Sequence, residues 1–255
     1  MDTNEKDRMP LLEHLQELRK RLLVSFLAIC LGGVACWFLY DWILELLLEP
    51  YCQIRGASTG GSIFGSGCEL LVTDPLEPFS VRLTIAGYGG IVISMPILLW
   101  QAWRFIAPGL LSKEKKWAIP FILSGLLLFA AGALLAYWSI PRALDFLVDI
   151  GGPDLVSIFS PSKYIGFVIK MIVAFGIGFE FPLLLIFLQL LGVLTPGALR
   201  KSRRFAIVGV VALVAVLTPS GDPFTLIILS VPMILFYEIA ILIGSLRNRE
   251  TRKKA

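Results

Sequence analysis

The sequence predicts an all-α, polytopic membrane protein with six transmembrane helices. Of its 255 residues, 56% are hydrophobic and only 16% are charged, whereas an ordinary soluble domain has about 25% charged residues. The mean hydropathy is +0.80, and long stretches carry no charge. A helix that crosses roughly 30 Å of hydrocarbon needs about 20 such apolar residues. These properties exclude an ordinary soluble protein, and also disordered, collagen-like and coiled-coil chains.

Six apolar segments are predicted to be helices, since backbone polar groups in lipid must find their partners within the segment. Their continuous apolar character is unlike the alternating pattern of barrel strands. The segments cover residues 22–40, 80–103, 118–140, 164–191, 205–217 and 224–244. We expect the whole chain, residues 1–255, to form a single membrane domain.

The N-terminal residues 1–21 are predicted to contain a cytoplasmic amphipathic helix that starts at Pro10. A stripe of leucines forms its apolar face, and Glu17 and Arg21 lie on the opposite face. These two residues are spaced for an ordinary i, i+4 ion pair. The alternative is that Glu17 receives a cationic ligand. The segment is too long and too mixed in charge for a cleavable signal, so we expect the first span to be retained.

Basic residues are concentrated in alternate loops, which lie on one side of the membrane. Eighteen of the 23 fall before the first span, between spans two and three, between four and five, or after the sixth. Four fall in the other loops, and Lys170 lies within a span. Under the positive-inside rule this distribution places both termini in the cytoplasm. The basic cytoplasmic tail comprises residues 245–255.

The first outer loop, residues 41–79, is the largest extramembrane segment and is expected to contain short interfacial helices. Cys52 and Cys68 lie in its polar, glycine-rich part. They form a disulfide if the loop faces an oxidising compartment and brings them close together, and the sequence leaves this open. Cys30 and Cys36 lie within the first span and are expected to be buried thiols.

Glu114 is the only acid in the cytoplasmic loop between spans two and three, where three lysines surround it. It either neutralises these lysines or, together with Glu17, captures a motif of paired arginines. Isolated carboxylates bind guanidinium groups bidentately, while the surrounding bases repel other cations.

The fourth segment contains Glu180 near its middle, where a carboxylate costs about 2.5 kcal/mol or more. We expect a functional role for Glu180; the alternative is a structural hydrogen bond to neighbouring helices. Pro182 is the expected site of a bend in this long segment. Gln189, near the cytoplasmic end, is a weaker candidate, because polar contacts between helices are its commoner role.

The fifth segment, Phe205 to Leu217, has only 13 residues, or about 20 Å of helix. With the sixth it is expected to form a short hairpin that thins the membrane locally or shelters against neighbouring helices. Glu238 lies in the sixth segment toward its cytoplasmic end, where a functional and a packing role are equally plausible.

No sequence motif predicts an enzyme. HExxH, P-loop and CxxC patterns are absent, and the chain has a single histidine. We therefore expect no catalytic residues, no metal site, no cofactor and no nucleic-acid partner.

Six motifs occur in a specific order along the chain. They are HLQELRKRL, TDPLEPF, WRFIAPGL followed by KE, GIGFEFP, LTPSGDPF and YEI. In this order, with six spans, the chain resembles the TatC family, the multispanning receptor subunit of the twin-arginine protein translocase.

The resemblance implies a receptor with a concave bundle and short helices five and six, in the bacterial inner membrane. Glu17 and Glu114, with Arg19, would bind the two arginines of signal peptides on folded precursors. Glu180 would line the concave face where the peptide and single-span TatA- or TatB-type partners dock. Asp222 matches an acid near a partner-binding side. A multi-copy complex, embedded in lipid, would use the proton motive force.

Two other functions remain open from the sequence. A proton-coupled small-solute transporter would use Glu180 and Glu238 as a proton relay, although the two halves of the chain show no repeat. A purely structural membrane scaffold would tolerate glutamine at Glu180 and Glu114.

Overall fold

The computed structural model describes residues 11–52, 70–106, 118–152, 159–190, 192–218 and 222–254. All regular structure within these ranges is helical, which confirms the predicted all-α class. The described helices are α1 (Leu11–Phe38), α2 (Tyr40–Cys52), α3 (Glu77–Ile106), α4 (Ala118–Asp149), α5 (Pro161–Phe179), α6 (Phe181–Leu190), α7 (Pro196–Lys201), α8 (Arg203–Leu217) and α9 (Pro223–Lys254).

Five stretches of the described helices are long and apolar enough to cross a membrane. They are Leu15–Phe38, Glu77–Phe105, Ala118–Asp149, Pro161–Gln189 and Pro223–Leu246. They correspond to predicted segments one to four and six. The fifth predicted segment is α8, which has 15 residues and is therefore about 22 Å long. The protein is thus a multi-pass membrane protein with one apolar helix shorter than an ordinary span.

Two helices extend further than the apolar segments indicate. α1 begins at Leu11 and continues without interruption from the amphipathic segment into the first span. α9 has 32 residues and continues through the basic tail to Lys254. The expectation of a short sixth helix is therefore not met. Lysine, arginine and glutamate are good helix formers, so a helix can continue after its apolar part ends.

The predicted bend in the fourth segment is confirmed, because Glu180 separates α5 from α6. Pro182 has no N–H to donate to the carbonyl of Gly178, and its ring crowds that carbonyl. The backbone N–H of Glu180 donates instead to the carbonyl of Ile177, at 3.0 Å. This tighter turn interrupts the helix at the position of the buried acid.

α1 and α3 pack backbone against backbone along a glycine seam formed by Gly32, Gly33, Gly89 and Gly90. A Cβ on Gly90 would lie 2.6 Å from the carbonyl oxygen of Ile29, and a Cβ on Gly32 would lie 2.8 Å from the carbonyl oxygen of Gly90. Such close approach is how helices gain van der Waals contact in lipid, where the solvent is itself apolar. At Gly32 and Gly90 a side chain would overlap the opposing backbone and separate the helices, whereas a Cβ on Gly89 would meet the side chain of Cys36.

α5 lies at the centre of the bundle, packed against α3, α4 and α9. Ile165, Val168 and Phe175 on this helix have no exposed surface. In contrast, large apolar side chains such as Phe26 on α1 and Leu134 on α4 are mostly exposed. An apolar exterior is expected for a protein whose solvent is lipid.

The two ends of the bundle differ in charge. The basic end is where α1 begins, α3 ends and α8 begins; its described bases are Arg19, Lys20, Arg21, Arg104, Arg200, Lys201, Arg203 and Arg204. The acidic end carries α2, the start of α3 and the start of α9; its acids include Asp41, Glu45, Glu49, Glu77 and Asp222.

Glu77 joins the start of α3 to the start of α5 at the acidic end. Its Oε1 accepts hydrogen bonds from the backbone N–H and the hydroxyl of Ser162, at 3.1 and 2.6 Å, and its Oε2 accepts from the N–H of Thr73, at 3.1 Å. The first N–H groups of a helix have no intrahelical acceptor. Glu77 therefore caps α5 although it lies 85 residues away in the sequence.

Tyrosine hydroxyls hold α2 against the bundle. Pro50 lies within α2 and has no N–H for the carbonyl of Leu46. The hydroxyl of Tyr137 lies 3.0 Å from that carbonyl oxygen and can donate to it. The hydroxyl of Tyr164 donates to the carbonyl of Leu47 at 2.9 Å. Side chains of α4 and α5 thus provide donors at the C-terminal part of α2.

We predict that Gly90→Ala lowers the free energy of unfolding by about 1–3 kcal/mol, because its methyl group would overlap the backbone of α1. Thermal unfolding in detergent, followed by circular dichroism, measures the change. Gly87→Ala is the matched control, since a Cβ there meets nothing within 4 Å. Equal destabilisation by both substitutions would contradict backbone contact at the seam.

We predict that Glu77→Gln weakens the start of α5. A carboxylate accepts with both oxygens, whereas an amide has one acceptor, so at least one set of bonds is lost at a cost of about 1–3 kcal/mol. Hydrogen exchange at the backbone amides of residues 162–165 should become faster. Glu45→Gln, at an exposed acid of the same end, should leave this exchange unchanged, and a similar increase in both variants would argue against capping.

Candidate functional site

The N-terminal turns of α1 and the last turn of α3 line an open cavity of about 500 Å³ at the basic end. Among the residues that the structure describes, its lining carries one acid and three bases. The lining residues are Gln16, Glu17, Lys20, Arg21, Val24, Gln101 and Arg104. The cavity therefore presents one carboxylate within a strongly cationic surface.

Glu17 forms an ion pair with Arg21 one turn further along α1. The guanidinium of Arg21 also donates through Nη1 to Oε1 of Gln101 on α3, at 3.3 Å. The side chains of Glu17 and Arg21 are only 22% and 16% exposed. This arrangement is held by two helices, and it realises the i, i+4 pairing that the sequence suggests as one of two roles for Glu17.

The other residues predicted for this site are placed differently. Arg19 is exposed and is not part of the cavity lining. Glu114 lies outside the described residues, so its predicted proximity to Glu17 stays a prediction. The structure thus brings Glu17 together with Arg21 and Gln101, and the sequence analysis emphasises neither of these two partners for peptide binding.

Glu180 lies at the break between α5 and α6, facing α4. A Cβ on Gly125 would lie 3.2 Å from Oε2 of Glu180 and 2.8 Å from Cδ1 of Leu99. Gly125 therefore leaves the space that the carboxylate occupies. Both carboxylate oxygens are buried and, among the described residues, neither has a hydrogen-bond partner.

The surroundings of Glu180 are apolar. Met95, Leu99 and Phe129 form a buried cluster between α3 and α4 beside it. A buried polar group without a partner costs free energy that a hydrogen bond would recover. Glu180 can therefore accept a hydrogen bond from an incoming donor or, when protonated, donate one itself. The structural alternative, a carboxylate already bonded to neighbouring helices, finds no support among the described residues.

Glu238 and Gln189 make contacts within the protein near the basic end. Glu238 accepts a hydrogen bond from Arg203 at 2.7 Å, and its side chain is 43% exposed. An exposed, paired acid is a poor candidate for an intramembrane proton relay with Glu180. The amide of Gln189 donates to the carbonyl of Ala240 at 3.0 Å, which joins α6 to α9.

Asp222 and Cys52 lie at the acidic end. Oδ1 and Oδ2 of Asp222 accept hydrogen bonds from the N–H and the hydroxyl of Thr225, at 2.7 and 2.6 Å. This buried acid therefore caps α9, a structural role beside the partner contact that the resemblance suggests. Cys52 takes part in a disulfide bond. Cys68 lies outside the described residues, so its pairing with Cys52 stays a prediction.

No sequence pattern indicates the structural role of Glu77, because its partner Ser162 lies 85 residues away. Gln101 makes a polar contact between helices, which is the commoner role of such a residue in a span. The available signal for Glu77 is its position in TDPLEPF. Within the described ranges, no group of three or more histidines, cysteines or acids could hold a metal ion.

Comparison with known proteins identifies the family. The model of the family described as Sec-independent protein translocase protein (TatC) matches residues 13–232. The chain is 39% identical over 254 residues to the Sec-independent protein translocase protein TatC of Frankia casuarinae, covering 99% of this chain and 70% of that protein. It is 38% identical over 248 residues to the TatC protein of Aquifex aeolicus, covering 96% and 98%.

Two solved structures are also similar to this chain in fold and in sequence. A crystal structure of the twin-arginine translocase receptor TatC in DDM has a TM-score of 0.76 and 37% identity, covering 91% of this chain and 99% of that one. A second crystal structure of this receptor has a TM-score of 0.75 and 38% identity, covering 92% and 99%. With six ordered motifs, a bundle of membrane-spanning helices and these relatives, the chain belongs to the TatC family of non-enzymatic Sec-independent protein translocase components.

Proposed function

We propose that this protein is the receptor and core component of a twin-arginine translocase. It binds the twin-arginine signal peptides of folded precursors and recruits TatA- and TatB-type single-span proteins. The assembled, multi-copy complex uses the proton motive force to move the precursor across the membrane. The observation that carries the proposal is the position of Glu17, the one acid among the described residues that line the cationic cavity at the basic end.

The basic end faces the cytoplasm in this proposal, and the protein lies in the bacterial plasma membrane with six spans and both termini inside. The positive-inside rule supports this orientation. The disulfide at Cys52 also supports it, because Cys52 lies at the opposite, acidic end and disulfides persist in oxidising compartments.

Recognition of arginine follows from the chemistry of the cavity. A guanidinium presents parallel N–H groups that match both oxygens of a carboxylate, whereas a lysine ammonium acts as a point charge. Glu17 supplies one carboxylate, and Glu114 is proposed to supply a second with Arg19 nearby. Lys20 and Arg104 also line the cavity, and they disfavour cations that cannot form such strong bonds.

Glu180 is proposed to meet the peptide or a partner helix within the membrane. Its two oxygens are buried without partners among the described residues, so a polar group on another chain would satisfy them. Asp222, Glu238 and Gln189 are proposed to contribute to partner contact, in addition to the internal bonds described above.

The short helix α8 supports a role in perturbing the bilayer. Its length of about 22 Å is less than the roughly 30 Å of hydrocarbon. Such mismatch is accommodated by local thinning of the bilayer or by association with other helices. Both responses would help a translocase that gathers single-span partners and moves folded cargo.

We predict that Glu17→Gln weakens binding of a twin-arginine signal peptide at least about tenfold, because it removes a charge-assisted hydrogen bond. Binding of a fluorescent peptide to the full chain in nanodiscs measures this. A twin-lysine version of the peptide should change little, and Glu238→Gln is the control for loss of an exposed acid at the same end. An equal effect on both peptides would contradict specific recognition of arginine.

We predict that Glu180→Ala reduces crosslinking to TatA- or TatB-type partners at least about threefold, because the polar contact in lipid is lost. Crosslinking in membranes measures recruitment, and membrane fractionation measures insertion, which should stay near the wild-type level. Ser230→Ala is the matched control, since the Ser230 hydroxyl is also buried without a partner among the described residues. Unchanged crosslinking in Glu180→Ala would refute the docking role.

A further inference from the structure

The carboxylate proposed to bind a signal-peptide arginine already holds an arginine of its own chain. Arg21 lies against Oε1 of Glu17 in an ion pair. Both residues line the same cavity. The receptor alone therefore already contains the carboxylate–guanidinium contact that a peptide arginine is expected to make.

Arg21 is held more firmly than an ordinary surface residue. Its Nη1 donates to Oε1 of Gln101 on the neighbouring helix α3, and its side chain is only 16% exposed. An exposed i, i+4 pair on a single helix contributes a few tenths of a kcal/mol. Contact with a second helix and partial burial reduce the screening of this pair by solvent.

The pair neutralises the only acid among the described residues of the cavity lining. With Glu17 engaged, Lys20 and Arg104 leave this described part of the lining with excess positive charge. A peptide arginine that binds both oxygens of Glu17 competes with Arg21 for Oε1. A lysine ammonium, which lacks the planar fork, replaces a guanidinium poorly in such an exchange.

We propose that Arg21 is a built-in competitor for the signal-peptide arginine. In the receptor without a peptide, Arg21 forms an ion pair with the carboxylate of Glu17. When the peptide binds, the guanidinium of the peptide arginine displaces Arg21, which stays bonded to Gln101. The affinity for the peptide therefore depends on the exchange of one arginine for another at Glu17. A ligand group that binds the carboxylate less strongly than a guanidinium does not displace Arg21. The mechanism rests on the proposed function of Glu17 and deepens it.

The test is peptide affinity in the full chain, reconstituted in phosphatidylcholine nanodiscs, with a fluorescent twin-arginine signal peptide as the probe. Removal of an ion pair of this strength in Arg21→Gln should tighten binding about fivefold. Arg204→Gln is the matched control, because it removes the same charge from an exposed residue at the same end of the bundle, lies outside the cavity lining, and should change affinity less than about twofold.

A double-mutant cycle separates competition from a structural role. In the Glu17→Gln background, Arg21→Gln should give no gain, because the group for which the two arginines compete is absent. Weaker or unchanged binding in Arg21→Gln, an equal gain in Arg204→Gln, or a gain that persists without Glu17 would each overturn the competitor role.

Two further measurements keep the result decisive. Arg21→Lys retains the charge but loses the fork, and should tighten twin-arginine binding by about twofold; no gain there would count against competition if Arg21→Gln does not fold. Glu17→Gln alone tests the proposed function. If it binds the peptide like the wild type, recognition by Glu17 fails, whereas a loss in Glu17→Gln without a gain in Arg21→Gln refutes only the competitor.

Discussion

The requirement that polar groups find partners in the absence of water governs this structure. Helices satisfy most backbone groups in lipid, and the prolines show what happens where a helix cannot. At Pro50 the carbonyl of Leu46 lies within bonding distance of a tyrosine hydroxyl from α4. At Pro182 the helix breaks, and the residue at the break is Glu180. At Pro50 a tyrosine hydroxyl from another helix can donate to the carbonyl that lacks a helical partner. At Pro182 the carboxylate of Glu180 has no partner among the described residues.

This requirement separates the acids into two groups. Both oxygens of Asp222 accept hydrogen bonds at the start of α9, and those of Glu77 accept at the start of α5 and in the loop before α3, so these acids stabilise the fold at its acidic end. Glu180 has buried oxygens that no described residue satisfies. Glu17 is intermediate, because its partner is an arginine, which the proposed mechanism replaces with the guanidinium of a peptide. The availability of each acid, rather than its charge, is the reason for proposing Glu17 and Glu180 as recognition residues.

The sequence predicts the helical class, the multi-pass character, the bend at Pro182 and the shortness of α8, because hydropathy and proline chemistry act locally. It does not predict that α9 continues through the basic tail, since hydropathy marks the end of the apolar part and not the end of the helix. The contacts of Arg21 with Gln101 and of Glu77 with Ser162 join residues 80 and 85 positions apart. Such contacts depend on how the helices pack, which no local pattern encodes.

The glycine seam between α1 and α3 has a mechanical consequence. Because the two backbones are in contact, α1 and α3 cannot slide or separate without losing their closest contacts, and they behave as one rigid pair. Glu17 and Gln101 lie at the same end of this pair. The distance between the two helices at that end therefore depends on main-chain contact in the middle of the membrane. In the proposed function, the signal peptide therefore binds beside a helix pair whose spacing is set by backbone contact.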